Sequence, residues 1–365
     1  MTTSDSRRAA VDALARLPLF QLSTAGMELF HTNMLYWLAL HQPAESAPVW
    51  NALGLHSVRA DGQEPFIERE WHHLDLVICS GPGRETLVVE NKIGAIPTAE
   101  QLVREAETVA RLAPSMKFGE LKYVLLTLTA PAPGLPGPWR SVVYRDLLDE
   151  LRETARRVSG EDAHVVSAYV ELVAQLDAVA RAYDPDVNLD EAVLLPASER
   201  EHLARGRVLS LVDKVRVGRF AQLATCAQPP EIRPAGPVGA ALYHTIGLND
   251  WFVNGRPGRQ FGWQIQGNQF RLAVMFIGPH NKSREAREQE VTEHYNDYFD
   301  FTPPEALKGR LTPHQGKKLF LGFDPDMVYR YATLAPETTW HDLLGLTTFF
   351  SGHAHEYALK HREQS

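Results

Sequence analysis

The chain has little cysteine. Cys79 and Cys226 are the only two in 365 residues, too few for a disulfide framework and in keeping with a reducing compartment. No Cys/His spacing of the zinc type occurs. No apolar run approaches the roughly 18 residues that a bilayer span needs. The N-terminal MTTSDSRRAAVDALARLPLF lacks the continuous apolar core of a secretory signal. The expectation is a cytoplasmic protein with no membrane partner. A basic excess is missing too: the net charge is −8. It is unevenly placed, with 17 Lys+Arg against 25 Asp+Glu in residues 1–189 and 20 against 20 in 190–365. A carboxylate-rich site contributes to the first excess without accounting for all of it. The neutral second half is the better candidate for touching a polyanion.

What is present is an ordinary globular composition, 44% hydrophobic and 22% charged, in a length that fits two domains. Residues 27–41 have helical spacing and end before Pro43. Residues 66–79 read as one strand, the turn signal Ser80-Gly-Pro-Gly83 follows, and 85–93 read as a second strand. A helix opening at Pro97-Thr98, strands at 121–129 and 141–144, and helices at about 146–158 and 163–181 complete the first half. This order is that of an α/β sandwich with a mixed sheet. The run Tyr183–Asn188 breaks the pattern, which gives domains at 20–184 and 190–365. The second is expected to be α+β. Ser198 with Glu201 has the form of a capping box opening a helix to about 220. Residues 261–276 alternate strictly about Gly267-Asn268, as a hairpin does. Helices are expected at about 282–299 and from Trp340.

The informative stretch is Leu74–Cys79, a turn, then Leu87–Ile93. Both strands are apolar except where charges sit. If they pair about a turn centred between Pro82 and Gly83, opposed residues sum to 165. Asp75 then faces Glu90, and Val77 faces Val88. Opposed Cβ atoms lie about 4.5–5.5 Å apart, so the two carboxylates repel unless a cation joins them. Lys92, two residues beyond Glu90, shares its face. Aliphatic neighbours on both faces make these charges buried and costly without a function. Such a set suits phosphodiester hydrolysis. A hard divalent cation takes one or two carboxylates plus water and phosphate, and an ammonium orients the water or offsets charge on the phosphate. The Asn91 carbonyl is an additional candidate ligand.

The pattern Asp75 … Glu90-Asn-Lys92 on a buried hairpin, followed by a helix carrying Gln101-Leu, resembles the signature of the PD-(D/E)XK nuclease superfamily. Glu28-x-x-His31-Thr32-x-x-Leu35 resembles in particular a bacterial branch of it. The resemblance covers about residues 20–180. It implies a restriction-endonuclease-like mixed sheet flanked by helices, and a Mg²⁺-dependent nuclease, with Mn²⁺ as substitute, acting on DNA. Asp75 and Glu90 would be metal ligands, Lys92 the catalytic lysine, Glu28 an accessory acid and Gln101 a site residue. Relatives serve restriction, repair or phage defence. The sequence departs from the pattern in lacking a proline before Asp75. It also has Glu105 where some members have a tyrosine four residues after the glutamine. The alternative is a nuclease-like binding or regulatory module without catalysis. Oligomeric state is left open, a homodimer included.

Other features have simpler readings. His31 reads as a structural histidine, and Glu28 also suits a first helical turn. Thr98-x-x-Gln101 is itself a capping box. Glu70 reads as an edge residue, His72-His73 as strand residues with His73 opposite Lys92, and His353-x-His355 as tail composition. Arg200, Arg207 and Lys214 recur every seven residues and are expected to line one helix face as a nucleic-acid contact. Failing that stripe, Arg256, Arg259 and Arg271 are next. Lys282, Arg284 and Arg287 interleave with acids and read as surface pairs. Trp251, Phe252 and Trp263 read as core.

Overall fold

The computed structural model describes residues 3–23, 27–59, 62–93, 99–129, 135–184, 188–227, 236–238, 241–247, 259–276, 283–316, 318–321 and 327–363. The chain divides into two compact units, Met1–Asp184 with Ser198–Val215, and Pro185–Ala197 with Arg216–Ser365. Residues 198–215 thus group with the first unit, where a division at 190 had put them with the second.

The first unit runs α1 (Thr3–Ala15), α2 (Pro18–Ser23), α3 (Met27–His41), α4 (Ala47–Ala52), β1 (Phe66–Trp71), β2 (Leu74–Cys79) and β3 (Thr86–Lys92). It continues with α5 (Ala99–Met116), β4 (Leu121–Thr127), β5 (Trp139–Val143), α6 (Leu148–Arg157), α7 (Glu161–Ala182) and α8 (Ala197–Arg205), and includes the start of α9 (Leu209–Ala227). The sheet order is β1-β2-β3-β4-β5. β1, β2 and β3 are antiparallel, and β4 and β5 run parallel to β3. This is the mixed sheet flanked by helices of a restriction-endonuclease-like fold.

Two physical facts set the centre of the sheet. Gly83 has φ 72°, a conformation glycine enters without steric cost, and it closes the β2–β3 turn in the anticipated register: Val77 pairs with Val88 and Leu76 with Val89. On one face, Val77, Cys79 and Val88 form a core with Leu102 and Val109 of α5 and with Tyr123, Leu125 and Trp139. The other face meets α3.

Residues 66–79 are not one strand. Trp71 pairs with Leu74, and His72-His73 form a two-residue turn with φ of 51° and 70°. Fourteen residues is far beyond the usual strand of about five or six, and histidine tolerates positive φ better than β-branched residues do. His73 is therefore not a strand residue opposite Lys92. α7 is, by length and mean hydropathy, apolar enough to cross a bilayer, which the sequence reading had not credited. Val166, Tyr169, Leu172, Val173 and Leu176 are nonetheless buried, and its Asp177 bonds Arg145 and Arg181 at 2.9 Å each.

The helix expected from Ser198 to about 220 is broken. α8 stops at Arg205 with the N–H of Val208 donating to Leu203 O (3.0 Å) and that of Arg207 to Ala204 O (3.1 Å). That is a Schellman stop, with Leu203 and Val208 both fully buried as its apolar contact. Unusually, Arg207 (φ 58°) takes the left-handed position, and Gly206 sits one residue earlier. A Cβ on Gly206 would lie 2.9 Å from Val11 of α1, so packing explains the glycine. Ser198 lies inside α8 rather than capping it.

The second unit contains β6 (Gly236–Val238), β7 (Ala241–Gly247), β8 (Arg259–Gln266), β9 (Gln269–Phe276), α10 (Arg284–His294), β10 (Leu311–Pro313), β11 (Phe320–Leu321), β12 (Met327–Leu334) and α11 (Trp340–Glu363). Its sheet order is β10-β12-β9-β8-β7-β6, with β11 also on β12. The β8–β9 hairpin turns at Gly267 (φ 59°) as its alternation required. Phe261, Trp263, Ile265, Phe270, Leu272 and Val274 form its core with α11, so Trp263 is a core residue. Trp251, Phe252, Arg256 and Lys282 lie outside the described residues.

Candidate active site

β2 brings Asp75 and β3 brings Glu90 and Lys92 to one face: Leu76 pairs with Val89, which leaves Asp75 and Glu90 at the next positions along the two strands, and side chains two apart share a face. Lys92 Nζ lies 2.7 Å from Glu90 Oε1 and 3.8 Å from both Asp75 Oδ2 and Glu28 Oε2. α5 covers this face. Gln101 Nε2 donates to Glu90 Oε1 at 3.0 Å and to Glu105 Oε1 at 2.8 Å. Gln101 thus lies against Glu90 and Glu105 in this pocket. Thr98, its supposed capping partner, lies outside the described residues. Glu28 reaches the site from the first turn of α3.

Sequence reasoning missed Glu105 as a site member and saw only a tyrosine that was lacking. The signal was there: Gln101 and Glu105 are four apart on a helix and share a face, and that face carries the buried Leu102 and Val109. Glu105 is 6% exposed.

Four carboxylates therefore surround one ammonium in a partly dry pocket. Burial, with Asp75 alongside, pushes the Glu90 carboxyl up to about 8. Burial also raises Asp75, against the pull of Lys92 and of the Asn91 N–H that donates to its Oδ2 at 2.7 Å. Glu105 is raised by burial, with Gln101 opposing. Burial disfavours the Lys92 ammonium, but Glu90, Asp75 and Glu28 together outweigh it and hold the group above its ordinary value. Among the described residues, the buried Glu90 Oε2 and Glu105 Oε2 meet no hydrogen-bond partner. Buried acceptors without donors are rare and call for explanation.

The donor set is all oxygen, as a hard divalent cation requires. Among the described residues, no three acidic, histidine or cysteine side chains converge closely enough to form a complete metal cage.

Asn91 points the other way. Its Nδ2 donates to the Glu28 carbonyl and to Thr32 Oγ1, both at 3.1 Å, and its Oδ1 accepts from Tyr144 OH at 2.8 Å. Only its main-chain carbonyl is left to offer a metal. Tyr144 bonds Tyr169, whose hydroxyl lies 3.0 Å from His31 Nδ1. His31 is fully buried, and burial lowers its pKa to about 3, so it is neutral. Glu28, His31, Thr32 and Leu35 follow helical spacing, which turns this stripe of α3 toward β3. The result is a buried chain of polar contacts from α7 through Asn91 to Asp75.

A family profile described as the PD-(D/E)XK nuclease superfamily matches residues 19–194. That segment belongs to this superfamily. The match takes in β1 to β5 and every residue of the pocket. No curated protein and no solved structure matches the chain. PD-(D/E)XK proteins generally hydrolyse phosphodiester bonds and typically use divalent metal ions, so nucleic acid is the substrate class that membership implies.

The basic residues fare differently. Arg200 lies 3.4 Å from Asp213, Arg207 is exposed at the helix break, and Lys214 is half-buried on α9. With the helix broken at 206–208, the three do not line one helix face. Arg259 is spent on Glu290 at 2.7 Å.

Proposed function

We propose that this protein is a divalent-metal-dependent nuclease cutting DNA, with Mg²⁺ as its ion and Mn²⁺ as a substitute. The observation that carries the reading is the gathering of Glu28, Asp75, Glu90 and Glu105 about Lys92 in a partly buried pocket. Asp75 and Glu90 would hold the ion, and Glu105 and Glu28 add negative charge beside it. When bound, such an ion polarises a phosphoryl oxygen and lowers the pKa of water.

The chain's own groups do the rest. Lys92 stays protonated because three carboxylates face it, so its ammonium donates to the attacking water or to a phosphate oxygen as charge develops there. Water oxygen bonds to phosphorus, the bond from phosphorus to the leaving oxygen breaks, and that oxygen gains a proton. Gln101 fixes the Glu90 and Glu105 carboxylates with its two amide hydrogens, and Asn91 fixes Asp75 from the backbone. These contacts set the geometry before substrate arrives, which is how a site avoids reorganisation during the reaction.

The test is a cleavage assay with single- and double-stranded DNA and RNA side by side, with Mg²⁺, Mn²⁺ or chelator. Cleavage of DNA that needs the ion and is abolished by Lys92→Ala is expected. Ion binding without cleavage of any substrate would sink the proposal.

A further inference from the structure

The sheet of the second unit has two unlike faces. One is the apolar core beneath α9, α10 and α11, each of which contributes buried residues to it. The opposite positions of β8, β9 and β12 carry glutamines, small residues, Arg271, Tyr329 and Tyr331. In a protein of net charge −8, none of these three strands contains an Asp or a Glu.

Aromatic rings form a band across this face. His314 stacks on Tyr331 (4.7 Å, 24°) and Phe320 on Tyr329 (5.7 Å, 26°), while Phe320 and Tyr331 touch at 5.3 Å. The two tyrosines and Phe320 are half-buried and His314 is exposed. At the end of the band a cleft of about 110 Å³ opens between His314, Lys318, Phe320 and Tyr331.

The cations are the second observation. Arg271 is only 8% exposed, and among the described residues no carboxylate pairs with it. Its N–H groups go to the neutral amides of Gln264 (2.6 Å) and Gln269 (2.7 and 2.9 Å), and its guanidinium lies 4.6 Å over Tyr329. Burying a guanidinium among neutral groups is costly unless an anion completes it. Exposed Lys318 lies over Phe320 at 5.9 Å, and among the described residues no carboxylate pairs with it. Ring faces flanked by cations that no described carboxylate compensates match a chain of bases joined by phosphates. A duplex keeps its base faces stacked on each other, so only a single strand can use both.

We propose that this face binds single-stranded nucleic acid, stacking bases on the His314–Tyr331–Phe320 band and meeting phosphates with Lys318 and Arg271. The inference rests on the nucleic-acid reading of the first unit for its ligand class, and its readout is binding alone.

The experiment measures fluorescence anisotropy of a labelled oligodeoxythymidylate with the full-length chain in chelator, against a blunt duplex of mixed sequence. The single strand should bind more tightly. Tyr331→Ala and Phe320→Ala should each weaken it roughly ten-fold. Lys318→Ala should flatten the salt dependence by about 0.7 in slope. Tighter binding of oligouridylate, lost in the same variants, also supports the face and sets the sugar. Variants with unchanged circular dichroism and unchanged oligonucleotide affinity, or equal affinity for the duplex, overturn it. Cleavage by the parent with unaltered oligonucleotide binding by Tyr331→Ala removes this inference and leaves the nuclease reading. Oligonucleotide binding lost in that variant, with no cleavage by the parent on any substrate, does the reverse.

Discussion

The two hairpins β2–β3 and β8–β9 obey the same arithmetic of opposed residues but differ in what surrounds them. β2–β3 lies mid-sheet in the first unit and is buried on both faces, so nearly every position is aliphatic. There each polar side chain is an exception, and Asp75, Glu90, Asn91 and Lys92 all prove to be engaged. β8–β9 has one core face and one polar face, so a glutamine on it signifies little alone. Its meaning emerges only from the whole face, from which acids are missing. A doubly buried strand can be read residue by residue, and a half-buried one only as a surface.

That contrast can be broken at its strongest point first. Lys92→Ala should cut turnover by at least 10²–10³-fold, the scale of losing one preorganised charge-stabilising donor. Metal affinity should hold or tighten, because a cation has left the pocket. Steady-state cleavage and calorimetric titration with Mn²⁺ separate the two. Turnover near the parent's would remove the lysine from the reaction.

Asp75→Asn should weaken metal binding by tenfold or more while raising the melting temperature of the metal-free protein above about pH 8, where Glu90 is ionised. An amide still accepts the Asn91 N–H, but repulsion with Glu90 is gone. Unchanged metal affinity and melting temperature would contradict the pairing of these two acids.

Asn91→Ala should cost about 2 kcal/mol, since it removes the acceptor of the buried Tyr144 hydroxyl and the amide donor to the Glu28 carbonyl. Tyr144→Phe should cost less. Both should slow cleavage more than they weaken metal binding. Chemical denaturation beside kinetics tests this, and an Asn91→Ala protein of parental stability would show the buried chain to be idle.

The smallest effect is one of pH. Glu90 titrates at about 8 in the folded protein against an ordinary 4.5. A raised carboxyl means that the folded state binds the proton more tightly. Its contribution to stability is therefore full below 4.5 and is lost as pH rises to about 8. Metal-free protein should melt at progressively lower temperature across that window. Saturating Mg²⁺ should flatten the slope, because the ion replaces the proton. A melting temperature independent of pH in chelator would show that Glu90 is ionised throughout.

Much of the pocket was legible because it rests on counting. The Ser80–Gly83 turn and the aliphatic flanks gave the register, and the register gave Asp75 opposite Glu90. The β8–β9 hairpin and α3 were legible for the same reason. What escaped was settled by contacts distant in sequence. Gly206 marks a helix end only because α1 presses on it, and it stands one residue from where the motif usually wants it. His72-His73 turns without glycine, proline or asparagine to announce it. Glu105 reads as an ordinary helix glutamate until β3 is laid beneath it. Phe320 of β11, and Lys318 just before it, lie apart in sequence from Tyr331 of β12, and no spacing rule joins them.

The β2–β3 turn has one more consequence. It contacts no member of the pocket, yet its length acts as a gauge. Opposition across an antiparallel pair is a fixed sum, so one residue added between Cys79 and Thr86, if carried into the strands, would rotate Glu90 and Lys92 toward α3 and deliver Asn91 to the pocket. Insertions that a surface loop would ordinarily absorb should therefore behave here like substitutions of the reacting groups. The number of residues in this turn is as much a part of the chemistry as their identity elsewhere.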